Sequence, residues 1–184
     1  MDALDRVKKR YATSQALMDQ IRYAAESLSL QFDRWDEQHV AGPSLYFLIV
    51  AEMSFDGYTD PLGANKWPIN RCKIVTESLD TFTEVARDVA MTQDGAIMVT
   101  ADGTIQEQMV RVRNPPRDEV PGIDELNPAD WMGTKHLSAL ETSLREDVIW
   151  EITLSEEDGR VTTFLDGTYR DYPRDEIGGR WRPD

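Results

Sequence analysis

The chain of 184 residues contains one cysteine, two histidines and only five lysines. A single cysteine, Cys72, forms no internal disulfide, and one Cys with His39 and His136 cannot furnish a Cys/His zinc cage. Apolar runs are short as well. The longest, Leu45 to Ala51, is strand-sized and far below the roughly 18–20 residues of a membrane span. The opening Met1-Asp2-Ala3-Leu4-Asp5 lacks the basic and apolar regions of a signal peptide. These shortages predict a soluble, cytoplasmic protein without a membrane partner.

Charge is abundant, and mostly negative. Twenty Asp and 14 Glu oppose 15 Arg and 5 Lys, for a net charge of -14. Broad electrostatic binding of nucleic acid needs a basic surface, so the charge argues against that class. An acidic, lysine-poor surface suits concentrated salt, where screening removes self-repulsion, and halophilic adaptation is expected. Forty per cent hydrophobic residues over this length are enough to bury a core.

The apolar pattern predicts an α/β fold. Leu4, Val7, Tyr11, Ser14, Met18, Ile21, Ala25 and Leu28 mark an amphipathic helix from residue 3 to about 30, laid on the domain's own core. After Gly42-Pro43, Leu45 to Glu52 is a buried strand, and 54 to 72 an irregular loop. Thr76 or Ser78 caps a helix that buries Leu79, Phe82, Val85, Ala86 and Val89. Ala96–Thr100 and Thr104–Val112 form a hairpin about Asp102-Gly103. A proline-rich loop precedes a helix from Gly133-Thr134 to about Arg145, with Thr134 as N-cap. Val148–Leu154 and Val161–Leu165 are paired strands, and nothing periodic follows Asp166. The expected organisation is a helical extension over 1–42, an α/β domain with a mixed sheet over 43–167, and a tail over 168–184.

Three short segments lie where strands meet loops or helices. Asp94-Gly95-Ala96 opens a strand. Asp-Gly occurs five times here and usually marks a turn, but Asp102-Gly103 already makes the neighbouring hairpin, leaving Gly95 for close backbone approach to a ligand. Gly133-Thr134-Lys135-His136 opens a helix whose unpaired N–H groups favour phosphate; otherwise it is a capped helix with a structural histidine. Ser155-Glu156-Glu157 ends a strand with carboxylates able to hold Mg²⁺ or Mn²⁺ beside phosphates, or else forms a hairpin turn.

Together, in this order, these segments resemble the core of the diadenylate cyclases, which condense two ATP molecules into cyclic di-AMP. The likeness runs from about Pro43 to Gly167 and favours a compact, soluble, archaeal-type member. It implies a face-to-face homodimer, with one ATP per subunit. It implies that Asp94 and Glu156 bind the metal and, with Gly95, form the catalytic set. Gly95, Ala96, Gly133, Thr134, Lys135, His136 and Ser155 would hold ATP. Two departures stand out. Lys135 and Leu137 occupy the positions of two family arginines. Lysine keeps the charge but loses the planar fork, and leucine loses the cation. A weak or silent nucleotide-binding relative, or an acidic α/β adaptor, are the alternatives.

Overall fold

A computed structural model describes residues 3–52 and 54–178, with the side chains of residues 3 and 5–13 left aside. The expectations for Val7, Tyr11 and residues 179–184 therefore lie outside the described part. Helix α1 spans Ala3–Gln31. Ser14, Leu17, Ile21, Ala24, Ala25 and Leu28 are buried, so this half of the helix lies on the core. Leu4, expected on the apolar face, is exposed, and the rest of the amphipathic character expected for the first half falls outside the described side chains.

Strand β1, Leu45–Val50, is buried at all six positions because both of its faces are covered. Leu45, Phe47 and Ile49 join one core cluster with α1 and with Phe82, Val85 and Val89 of α2, Leu79–Thr92. Tyr46, Leu48 and Val50 face the other way, into a second cluster with Ala139 and Leu140 of α3, Thr134–Thr142. Alternation along one strand thus separates the two helical layers.

The main sheet places Ile97–Thr100 (β3), β1, Val148–Leu154 (β5), Val161–Leu165 (β6) and Thr168–Tyr172 (β7) side by side in that order. Strand β3, Ile97–Thr100, runs parallel to β1, while β5, Val148–Leu154, runs antiparallel to it. Strand β6, Val161–Leu165, follows antiparallel, giving the mixed sheet.

Two strands correct the sequence reading. Thr59–Lys66, expected within an irregular loop, forms β2 and pairs with β4, Gln108–Val112, in a separate two-stranded sheet. Its Pro61 and Gly63 hide the strand signal, and the register shifts between Pro61 and Lys66. The predicted 96–112 hairpin is only partly formed. Val99 bridges Ile105 and Ala96 bridges Val110, after which the chain pairs with β2 instead.

Thr168–Tyr172, expected to lack regular structure, forms β7 on the edge of β6. Asp166 and Gly167 have φ of 47° and 71°, the paired positive angles of a two-residue hairpin turn. Helix α3 also differs at both ends. Gly133 is its N-cap, Thr134 its first helical residue, and it closes at Thr142 short of Arg145. By contrast Ser78, one of two candidates, caps α2 by accepting the Thr81 N–H at 3.2 Å.

Candidate functional site

A cleft of about 720 Å³ opens where the two sheets meet the start of α3. Ser44 immediately precedes β1, Tyr46 lies in it, and Leu62 comes from β2. Gln93 to Ala96 lead into β3, Val110 to Val112 end β4 with Arg113 and Asn114 just beyond it, and Glu156 lies in the turn after β5. Thr134, Lys135 and Ser138 belong to the first turns of α3. Segments more than sixty residues apart in sequence thus share one wall.

Asp94 is exposed at the cleft, and its turn is braced from both sides. Its Oδ1 accepts the Gly95 N–H at 2.8 Å, and its own N–H donates to Asn65 Oδ1 at 3.0 Å. Gly95 has φ of 108°, and a Cβ there would lie 2.5 Å from Leu62 Cδ1 and 3.0 Å from the Val110 carbonyl oxygen. The close approach that requires glycine is therefore to the protein's own β2 and β4. Ala96 exchanges both backbone hydrogen bonds with Val110, at 2.7 and 3.0 Å, which sets the Asp94 turn against the second sheet.

Lys135 reaches across the floor. Its Nζ donates to Ser44 Oγ at 2.8 Å and to the Leu154 carbonyl at 3.2 Å, leaving one of three ammonium donors for the cleft. Burial pushes the Lys135 pKa down, against the opposing pull of Glu156, Asp94 and Glu157. These four side chains form one electrostatic group. The α3 N-terminus has no side-chain cap, so its first N–H groups add a positive end to the same wall.

Three of the expected site residues are not among those lining the cleft. Gly133 caps α3 in open space. Ser155 is buried in the turn after β5, where its Oγ accepts the Glu157 N–H at 3.3 Å and its carbonyl the Gly159 N–H at 3.0 Å. His136 turns into the core, with ring centroids 5.0 Å from Trp131 and 6.4 Å from Phe164. Desolvation, with Lys135 nearby, lowers its pKa to about 4, so it is neutral near pH 7.

Residues that the motifs did not single out complete the wall. Tyr46 donates its hydroxyl to Glu151 Oε1 at 2.7 Å. Glu151 is fully buried, its other oxygen lacks a protein partner, and burial raises its pKa well above the usual carboxylate range. Arg111 and Arg113 stand at the mouth, both beside Asp60 of β2, with N–O distances of 3.1 and 3.6 Å. The alternation of β4 was a signal for them, because Arg111 and Arg113 interrupt the buried Val110 and Val112.

Asp94 and Glu156 are the two carboxylates on the cleft, and among the described residues no group of three or more His, Cys, Asp or Glu is arranged to hold a metal. Such a donor set fits only a hard cation that takes its remaining ligands from water and substrate phosphates.

No protein-family profile matches the chain, and no curated protein matches it. Solved structures do. A double cysteine mutant of DacA from Staphylococcus aureus aligns at 15% identity and a TM-score of 0.51, over 92% of this chain and 97% of that one. A hypothetical membrane-spanning protein from Bacillus cereus aligns at 15% identity and a TM-score of 0.55, over 84% of this chain and 62% of that one. Among the described residues no helix of this chain is long and apolar enough to cross a membrane. At such identity the likeness is one of fold, and over nearly its whole length this chain has a fold like that of DacA.

Proposed function

We propose that the chain is a nucleotidyltransferase of the diadenylate cyclase type, condensing two ATP into cyclic di-AMP and two pyrophosphates. The observation that carries this reading is convergence: Asp94 to Ala96, Thr134-Lys135 and Glu156 line one cleft. DacA, whose fold is similar, is itself a diadenylate cyclase, which supports the assignment.

The active unit is a pair of copies facing each other, each holding one ATP. Each ribose 3′-hydroxyl attacks the α-phosphorus of the facing ATP. A P–O bond forms there as the bond to pyrophosphate breaks, and two such steps close the ring. Asp94 stands beside the 3′-hydroxyl and favours loss of its proton. Lys135 and the α3 N-terminus with Thr134 align the phosphates. Gly95 and Ala96 line the part of the cleft that takes the nucleoside. His136 and Ser155 act from beneath, holding the first turn of α3 and the Glu156 turn in place. Asp94 and Glu156 would hold Mg²⁺ or Mn²⁺, which neutralises phosphate charge when bound. Cytoplasmic ATP supplies the substrate.

A second reading, a nucleotide-binding relative with little turnover, is favoured by Leu137, which is 37% exposed and brings no charge. A charge-assisted contact missing from the transition state costs about 1.5–3 kcal/mol. The deciding experiment incubates the protein with ATP and Mg²⁺ or Mn²⁺ and resolves the nucleotides by chromatography and mass. Cyclic di-AMP from the wild type and none from Asp94→Asn supports the cyclase. ATP binding without product under any metal or salt condition leaves the binding relative.

A further inference from the structure

We infer that Arg111 and Arg113, on β4 and just beyond it, form the polyphosphate grip of the cleft, held ready by Asp60. The inference takes its ligand class from the nucleotide reading above. A triphosphate carries several negative charges, yet the cleft already contains the carboxylates of Asp94 and Glu156. Lys135 carries a single charge and cannot balance these alone, and two of its donors are already committed to Ser44 and Leu154. Among the described residues lining the cleft, the other cations are Arg111 and Arg113.

Their present partners are easily exchanged. Arg111 Nη2 lies 3.1 Å from Asp60 Oδ2, and Arg113 Nε lies 3.6 Å from the same oxygen. One carboxylate oxygen therefore serves two guanidinium groups, and all three side chains are more than 40% exposed. Exposed pairs of this kind contribute little to stability. Phosphate oxygens offer the planar, two-point contact that a guanidinium favours. Arg113 is also oriented by its bond to the Gly57 carbonyl at 2.6 Å, which limits the ordering needed on binding. Asp60 thus keeps both arginines at the mouth and competes with the incoming anion.

Arg117 and Arg71 make a fair contrast. Each sits in an exposed ion pair, with Asp124 and with Asp88 respectively, and neither lines the cleft.

The test measures binding of inorganic tripolyphosphate by calorimetry, with ATP turnover assayed in parallel. Arg111→Gln/Arg113→Gln is expected to weaken tripolyphosphate binding at least roughly tenfold. The charge-matched control Arg71→Gln/Arg117→Gln is expected to change it less than about twofold, and Asp60→Asn to tighten it. Thermal unfolding of each variant separates lost binding from lost structure. Equal weakening in both double variants, or no binding by the wild type, overturns the inference. Unchanged KM for ATP in Arg111→Gln/Arg113→Gln also overturns it while leaving the cyclase reading intact. Tripolyphosphate bound through these arginines without cyclic di-AMP formation removes the cyclase reading and keeps the grip.

Discussion

Gly95 combines two constraints, a φ of 108° and a wall of Leu62 and Val110 atoms within 3.0 Å of any added Cβ. Gly95→Ala is expected to destabilise the protein by about 2–4 kcal/mol in urea unfolding. Adding Leu62→Ala should recover only part, because the strained φ and the Val110 backbone remain. His136 makes a prediction about pH. Its pKa is lowered to about 4 by burial and then by Lys135, so the unfolded chain takes up a proton first as pH falls. The stability held above about pH 6.5 is therefore lost progressively down to about pH 4. His136→Phe should lose about 1–2 kcal/mol less than wild type between pH 7 and pH 5, as read by paired urea titrations. Asp94, Gly95 and Lys135 were legible as candidates because strand and helix ends supply their chemistry locally, and all three line the cleft. The inward turn of His136 was not, since only packing against Trp131 and Phe164 decides which way that side chain faces.

At the scale of elements, α2 was largely legible. Its apolar spacing marked Phe82, Val85, Ala86 and Val89, all buried, whereas Leu79 in the first turn is only partly covered, and Ser78 proved to be the cap of the two candidates. Ser78→Ala should cost about 1 kcal/mol of stability, measurable as a lower urea midpoint at unchanged slope. Strand β2 was not legible, because its pairing energy comes from β4, some fifty residues away, and not from its own Pro- and Gly-containing sequence. That strand matters to the site. Asn65 braces the Asp94 N–H, and Asp60 holds the two arginines. Strand β7 did carry a local signal in Asp166-Gly167, which was masked by the polar Thr168–Tyr172 that follows.

For the whole molecule, a reaction requiring two facing sites makes turnover depend on association. Activity per mole of protein should rise with protein concentration and level off, matching the dimer fraction from sedimentation; activity independent of dilution in a monomer would refute the facing-pair mechanism. The net charge of -14 adds a second expectation, that Tm rises between about 0.1 and 2 M NaCl as self-repulsion is screened. The sequence by itself determined the buried strand β1, the buried face of α2, the net negative charge and the candidate segments at the ends of elements. These follow from short-range periodicity and backbone preference, which neighbouring residues settle among themselves. Only the tertiary structure decided that Asp94, Lys135 and Glu156 meet in one cleft, that His136 is turned inward, and that Arg111 and Arg113 share its mouth. Those outcomes depend on the order of strands in the sheet and on which faces pack together, and such long-range pairing leaves no local trace in the chain.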